Sequence, residues 1–182
     1  VSIECAQALA RRMVSEGGGS DETRIDYGFR RVLTRPPTPE ETAAFVADPS
    51  PAAYERLVDR LLASPHFGER WARHWLDLAR YADSDGYEKD KPRPFAYTYR
   101  DWVVNAMNED MPYDKFLKLQ IAADCLPGTQ AKDLAALGFV TLNRGVNNVQ
   151  ERIDDRIDVL TRGTMSLSVY CARCHDHKFD PV

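Results

Sequence analysis

Apolar residues recur at spacings of three and four positions in one stretch of this chain after another. Such spacing places the side chains on one face of an α-helix, where they form a stripe that packs against other elements. The first stretches are Ile25, Phe29, Val32 and Leu33; Leu57, Val58, Leu61 and Leu62; and Trp71, His74, Trp75, Leu78 and Ala82. The alternation typical of strands is missing, and a weak run over residues 135–142 fits a helix equally well. We therefore predict an all-α domain of many helices joined by long loops.

Two local signals predict where helices begin. Thr38-Pro39-Glu40-Glu41 combines a capping box with proline at the first helical position, and Ser50-Pro51 repeats the pairing of a cap with proline. Two further stripes predict helices in the second half of the chain. Their members are Tyr99, Trp102, Val103 and Ala106, and then Phe116, Leu119 and Ala123.

The last long helix should run from about Glu151 to about Tyr170 and lead directly into Cys171. Its inward residues are predicted to be Ile153, Ile157, Leu160 and Leu167. The charged residues of this segment are Glu151, Arg152, Asp154, Asp155, Arg156, Asp158 and Arg162. Opposite charges four positions apart on the wet side of a helix explain most of them, at a few tenths of a kcal/mol for each pair.

Residues 171–175 read Cys-Ala-Arg-Cys-His, the C-x-x-C-H pattern by which a c-type haem is attached. Two thiols three positions apart can each add across one vinyl group of the haem, and the adjacent imidazole reaches the iron as an axial ligand. The pattern therefore predicts covalent haem c on Cys171 and Cys174, with His175 as the proximal ligand.

Other chemistries for these two thiols stay open. A closed structural zinc site needs four ligands, and Cys5 and Cys125 are isolated in the sequence, although His175 and His177 could supply nitrogen. A disulfide between Cys171 and Cys174 would close a very short ring. A thioredoxin-like redox pair is expected beside a strand-helix-strand pattern, which is missing here.

The iron's opposite axial position is an open question. The candidates are His66, His74, His177, Met107, Met111 and Met165. We favour His74 as a distal ligand, because Trp71 and Leu78 share its helical face and would place its imidazole on an apolar stripe. The alternative is a histidine that is hydrogen-bonded in the core or partly exposed. Arg173 and Lys178 flank the motif, where they would pair with haem propionates or remain solvated.

Composition excludes some classes of function. The formal net charge is −4, and the 24 Lys and Arg are interspersed among 28 Asp and Glu, so the chain carries no footprint of nucleic-acid binding. No apolar run reaches the 18 residues of a membrane span. Acidic residues at 83 and 85 do not follow the spacing of a calcium loop.

Because the chain begins at Val1 and stops just after its motif, we expect a fragment of a longer protein whose targeting signal lies upstream.

Three runs carry a family resemblance: YERLVDRLLASPH at residues 54–66, ERWARHWLD at 69–77 and CARCHDHKFDP at 171–181. Residues 38–182 resemble the planctomycete-type cytochrome c domain family, the DUF1549 class. The resemblance implies a haem-binding domain inside large secreted proteins, with a neighbouring haem domain or another redox protein as its partner. Its motif corresponds to Cys171, Cys174 and His175.

Residues 1–37 instead resemble the closing helices of the domain that usually follows this family, the DUF1553 class. We therefore predict a helical N-terminal segment over residues 1–37 and a cytochrome c-like domain over 38–182, truncated at its C-terminus. The predicted function is electron transfer in the periplasm or outside the cell. Two alternatives stay open: a haem-dependent oxidative or peroxidase-like enzyme domain, and a structural module that holds zinc or a disulfide at the two cysteines.

Overall fold

The computed structural model describes residues 2–48, 50, 52–85, 90–142 and 148–176, with the side chains of residues 2–6 left aside. Over these ranges the all-α prediction is confirmed, because helices and turns account for all regular structure except one isolated bridge between Ser84 and Pro92. The α-helices are α1 (Ser2–Glu16), α2 (Asp21–Val32), α3 (Pro39–Val46), α4 (Ala53–Leu62), α5 (Pro65–Leu78), α6 (Tyr97–Asn108), α7 (Tyr113–Ala122), α8 (Gly138–Thr141) and α9 (Val149–Met165). Two 3₁₀ helices cover Ala131–Leu137 and Tyr170–Arg173.

The chain forms two compact units, residues 1–70 and residues 71–182. The first unit packs α1, α2, α3 and α4 around one apolar cluster. Ile25, Phe29 and Val58 are fully buried there, so the stripes predicted for α2 and α4 are confirmed. Residues on both sides of position 37 contribute to this cluster.

The predicted start of α3 is confirmed in atomic detail. The backbone N–H of Glu41 donates to Oγ1 of Thr38 at 3.2 Å, and the backbone N–H of Thr38 donates to the Glu41 carboxylate at 2.8 Å. The start predicted at Ser50 is wrong, because the residue that caps α4 is Ala52 and the helix begins at Ala53. Ser50 accepts a hydrogen bond from the Ala52 backbone instead. Pro51 lies outside the described residues.

The second unit is built on stacked aromatic rings. Trp102 lies 5.3 Å from Phe116, and Trp75 lies 4.9 Å from Phe116 and 5.5 Å from Phe139, measured between ring centroids. The stripes predicted for α6 and α7 are confirmed as buried. The ambiguous run at residues 135–142 is helical, divided between the first 3₁₀ helix and α8.

The face predicted to be buried on α5 is wrong. Trp71 and Leu78 are 44% and 37% exposed, and His74 is exposed between them. The core instead takes the neighbouring row of Ala72, Leu76 and Ala79, to which Trp75 adds a partly buried ring. Both rows are apolar, and the small side chains of the alanine row allow the closer helix packing. His74 therefore does not point into the core.

The prediction for α9 needs two corrections. The helix ends at Met165, and Ser166 adopts a left-handed conformation with φ of 58°, so Cys171 does not follow directly from the helix. Ile153 and Ile157 are 42% and 47% exposed, whereas Val159 is buried. An added Cβ on Gly163 would lie 2.5 Å from Leu78, so the absence of a side chain there lets α5 approach. Helical spacing alone did not reveal that the apolar residues of α9 occupy two different faces.

Candidate functional site

The motif lies on a short turn that returns toward α9. After the left-handed Ser166, the backbone N–H of Leu167 donates to the carbonyl of Thr161 at 3.2 Å, which closes the helix end. The chain then forms the 3₁₀ helix Tyr170–Arg173, and this helix contacts α9. The position of the two cysteines is thus determined by how α9 ends.

Three backbone hydrogen bonds shape the turn. The N–H of Ala172 donates to Val169 O at 3.0 Å, and the N–H groups of Cys174 and His175 donate to Cys171 O at 3.1 and 3.3 Å. Side chains three positions apart eclipse one another in 3₁₀ geometry. Cys171 lies in this helix and Cys174 directly follows it, so the local geometry favours a common face for the two thiols, both of which are free and exposed.

His175 is exposed, and its Nδ1 lies 3.0 Å from the backbone carbonyl oxygen of Asp176. A carbonyl oxygen can only accept, so Nδ1 must carry the proton in this contact. In that tautomer the lone pair lies on Nε2. A free Nε2 with Nδ1 held by a carbonyl is the usual arrangement of a histidine that binds a metal.

The alternatives for the two thiols stay open. Within that part of the chain, no three His, Cys, Asp or Glu side chains are grouped as a metal site would require. Cys171 and Cys174 are free thiols, as is the exposed Cys125. His177 and Lys178 lie outside the described residues, as does the side chain of Cys5.

The candidate distal ligands are dispersed. The ring of His74 lies 5.5 Å from the ring of Trp71 on the exposed face of α5. His66 belongs to the first unit and pairs with Glu69 at 2.8 Å. Met107 and Met111 pack partly buried against the aromatic core, whereas Met165 is 59% exposed at the end of α9. The assignment of His74 stays a prediction.

Three aspartate side chains of α9 are far less exposed than side chains on the solvent-facing side of a helix. The side chains of Asp154, Asp155 and Asp158 are 12%, 15% and 13% exposed. Asp154 pairs with Arg173 of the motif, Asp155 pairs with Arg80, and only Asp158 pairs within the helix, with Arg162. No spacing rule predicts the first two pairs, because each partner comes from a distant part of the chain.

The residues present fit the attachment of a c-type haem. The turn offers two free, exposed thiols three positions apart and an imidazole whose Nδ1 contacts a backbone carbonyl. Two exposed apolar side chains lie close by in the sequence, Met165 and Tyr170, at 59% and 57% exposure. A shallow groove of about 350 Å³ lies elsewhere, between the start of α6 and α8, and none of the predicted site residues lines it.

The sequence was compared with family models, curated proteins and solved structures. A family model named PSCyt2, described as a protein of unknown function (DUF1549), matches residues 25–182. The chain belongs to this family. Among curated proteins and solved structures, no match was found. The PSCyt2 match begins within α2, while the assignment of residues 1–37 to a neighbouring domain stays a prediction. No helix among the described residues is long and apolar enough to cross a membrane.

Proposed function

We propose that this PSCyt2 chain is a c-type haem-binding domain that transfers electrons within a larger secreted protein. The observation that supports the proposal is the turn at residues 171–175, where two free, exposed thiols lie three positions apart and an imidazole follows. Covalent attachment needs both sulfur atoms to be free and accessible, and the free, exposed state of the two thiols supports the proposal.

Each residue of the turn has a separate role in the proposal. Cys171 and Cys174 would form the two thioether bonds, and Nε2 of His175 would hold the iron. The bound haem would supply one-electron redox chemistry at the iron. His74 is proposed as the second axial ligand, and two histidine ligands would favour electron transfer over the binding of small molecules. Covalent haem attachment also favours a location outside the cytosol.

The first experiment is expression in the periplasm together with a cytochrome c maturation system. We expect the denatured chain to stain for haem on a gel and to gain the mass of one haem. Cys174→Ala should leave at most one thioether, and His175→Ala should impair attachment. Cys125→Ala is the matched control, because that thiol is also exposed and free but lies outside the motif. A mass equal to that of the bare polypeptide overturns the proposal.

The second axial ligand is tested by spectroscopy on the loaded protein. We expect His74→Ala to shift the ferric spectrum toward high spin and to open the iron to cyanide, because an imidazole ligand has been removed. His66→Ala is the control and should change neither property. An unchanged low-spin spectrum in His74→Ala eliminates this ligand. Ready binding of cyanide to the unaltered protein would instead favour the oxidative or peroxidase-like enzyme.

A further inference from the structure

Arg173, one of the two residues between the cysteines, reaches across to α9. Its Nη1 lies 2.5 Å from Oδ2 of Asp154. The Asp154 side chain is only 12% exposed, whereas that of Arg173 is 46% exposed. The carboxylate is therefore set into the surface of α9, and the guanidinium of the turn comes to it.

The ion pair joins one guanidinium nitrogen to one carboxylate oxygen, Oδ2, while Oδ1 of Asp154 accepts a hydrogen bond from Nε2 of Gln150 at 3.2 Å. A carboxylate that has lost most of its water depends on a nearby cation more than an exposed one does. Because the attraction rests on charge and not on the fork geometry of a guanidinium, a lysine at position 173 should largely preserve it.

The turn needs such an anchor. A single turn of 3₁₀ helix has poor hydrogen-bond geometry and little stability of its own. Two bonds to one rigid ring nevertheless require both sulfur atoms to be held in place together, and fixing their geometry beforehand removes an entropic cost of the reaction.

We infer that Asp154 is a positioning residue for cofactor attachment, which holds the turn of Cys171 and Cys174 against α9 through Arg173. The inference rests on the proposed function. Asp154 touches no reacting atom, and its action passes through the Arg173 side chain.

The chain supplies a matched control in Asp158. This aspartate lies one helical turn further along α9, has 13% exposure and pairs with Arg162 of the same helix. Asp158→Asn therefore removes an equally covered carboxylate and its ion pair without touching the turn. Any general destabilisation of α9 should appear in both variants.

The first test uses the reduced chain without cofactor. Amide hydrogen exchange is measured at Cys174 and His175, and the affinity for phenylarsine oxide is measured because this reagent bridges two neighbouring thiols. Asp154→Asn should accelerate the exchange about threefold or more and weaken the arsenical by a similar factor, the size expected for a partly covered ion pair. Asp158→Asn should match the unaltered chain. Equal behaviour of the two variants overturns the inference.

Charge rescue separates positioning from packing. Arg173→Lys should retain both properties, Arg173→Gln should lose them, and the exchanged pair Asp154→Lys with Arg173→Glu should recover them in part. If Arg173→Lys loses as much as Arg173→Gln, the ion pair does not position the turn.

The loaded protein distinguishes this inference from the proposed function. During maturation, Asp154→Asn should yield less of the doubly bonded product, whereas Asp158→Asn should not. If the unaltered chain acquires no haem but the arsenical still depends on Asp154, the haem proposal is wrong and Asp154 positions the thiol pair for another ligand. If haem attaches equally to all variants and the exchange is unchanged, the haem proposal stands and the positioning role is overturned.

Discussion

Gln120 has no exposed surface, although it carries a polar side chain into an aromatic core. Its Oε1 accepts hydrogen bonds from Nε1 of Trp75 and from the hydroxyl of Tyr99, both at 2.7 Å, and its Nε2 donates to Phe116 O at 3.2 Å. Burial raises the pKa of Tyr99 well above its usual range, so this hydroxyl stays a donor. One amide thus satisfies the polar ends of two large rings.

Replacing this amide should be costly. Gln120→Leu keeps the volume but leaves the buried Tyr99 hydroxyl without its acceptor, so we expect a loss of about 1–3 kcal/mol in the free energy of unfolding, measured with urea. Adding Tyr99→Phe should not recover the loss, because the Tyr99 hydroxyl is the remaining acceptor, at 3.1 Å, for Nε1 of Trp75. Ile121→Ala, at a side chain that is 44% exposed, is the control and should change stability by less than about 0.5 kcal/mol. A loss no larger than that of the control contradicts the role assigned to Gln120.

At the scale of helices, the features that the sequence predicts best are those that depend on a few neighbouring residues. The cap of α3 lies within four residues, and it forms as predicted. The buried face of α5 depends on which of two apolar rows packs more closely against distant helices, and spacing along the chain does not contain that information. The same is true of the site: the C-x-x-C-H motif is recognisable from five residues, whereas the turn that carries it and the pairing of Arg173 with Asp154 depend on the fold.

The cap of α3 also predicts a dependence on pH. The side chain of Arg35 hydrogen-bonds Glu41 and lowers the pKa of this carboxyl from 4.5 to about 2. A carboxyl whose pKa is lower in the folded state stabilises the fold above its unfolded pKa, and that contribution disappears as the pH falls from about 4.5 to about 2. Glu41→Gln and Arg35→Gln should both flatten this part of the stability curve.

Urea unfolding followed by circular dichroism, from neutral pH down to about pH 2, measures the effect. Glu55→Gln serves as the control, because it removes an exposed carboxylate of the same unit. If Glu41→Gln keeps the full acid dependence of the unaltered chain, the Arg35 contact does not carry it.

At the scale of the molecule, two separate clusters of buried residues lie in the two units. All three tryptophans, Trp71, Trp75 and Trp102, belong to the second unit. Tryptophan fluorescence therefore reports on one unit, while circular dichroism reports on the helices of both.

This separation predicts an asymmetric response to cavities. Phe29→Ala, in the first core, should cost that unit about 3–5 kcal/mol and shift part of the dichroism transition, while the fluorescence midpoint stays in place. Phe139→Ala, in the second core, should lower the fluorescence midpoint. A fluorescence midpoint that falls equally in both variants would show that the two units unfold as one.

The second core is filled by its own rings, with Trp102 and Phe116 stacked 5.3 Å apart, and the turn of Cys171 and Cys174 lies outside that core. A haem bound at this turn would therefore lie on the surface of the unit and would not complete its core. If the proposed function holds, we expect the chain to fold before the haem is attached, because both apolar cores are complete without it. Loss of the haem would then remove the visible absorbance of the protein without unfolding it.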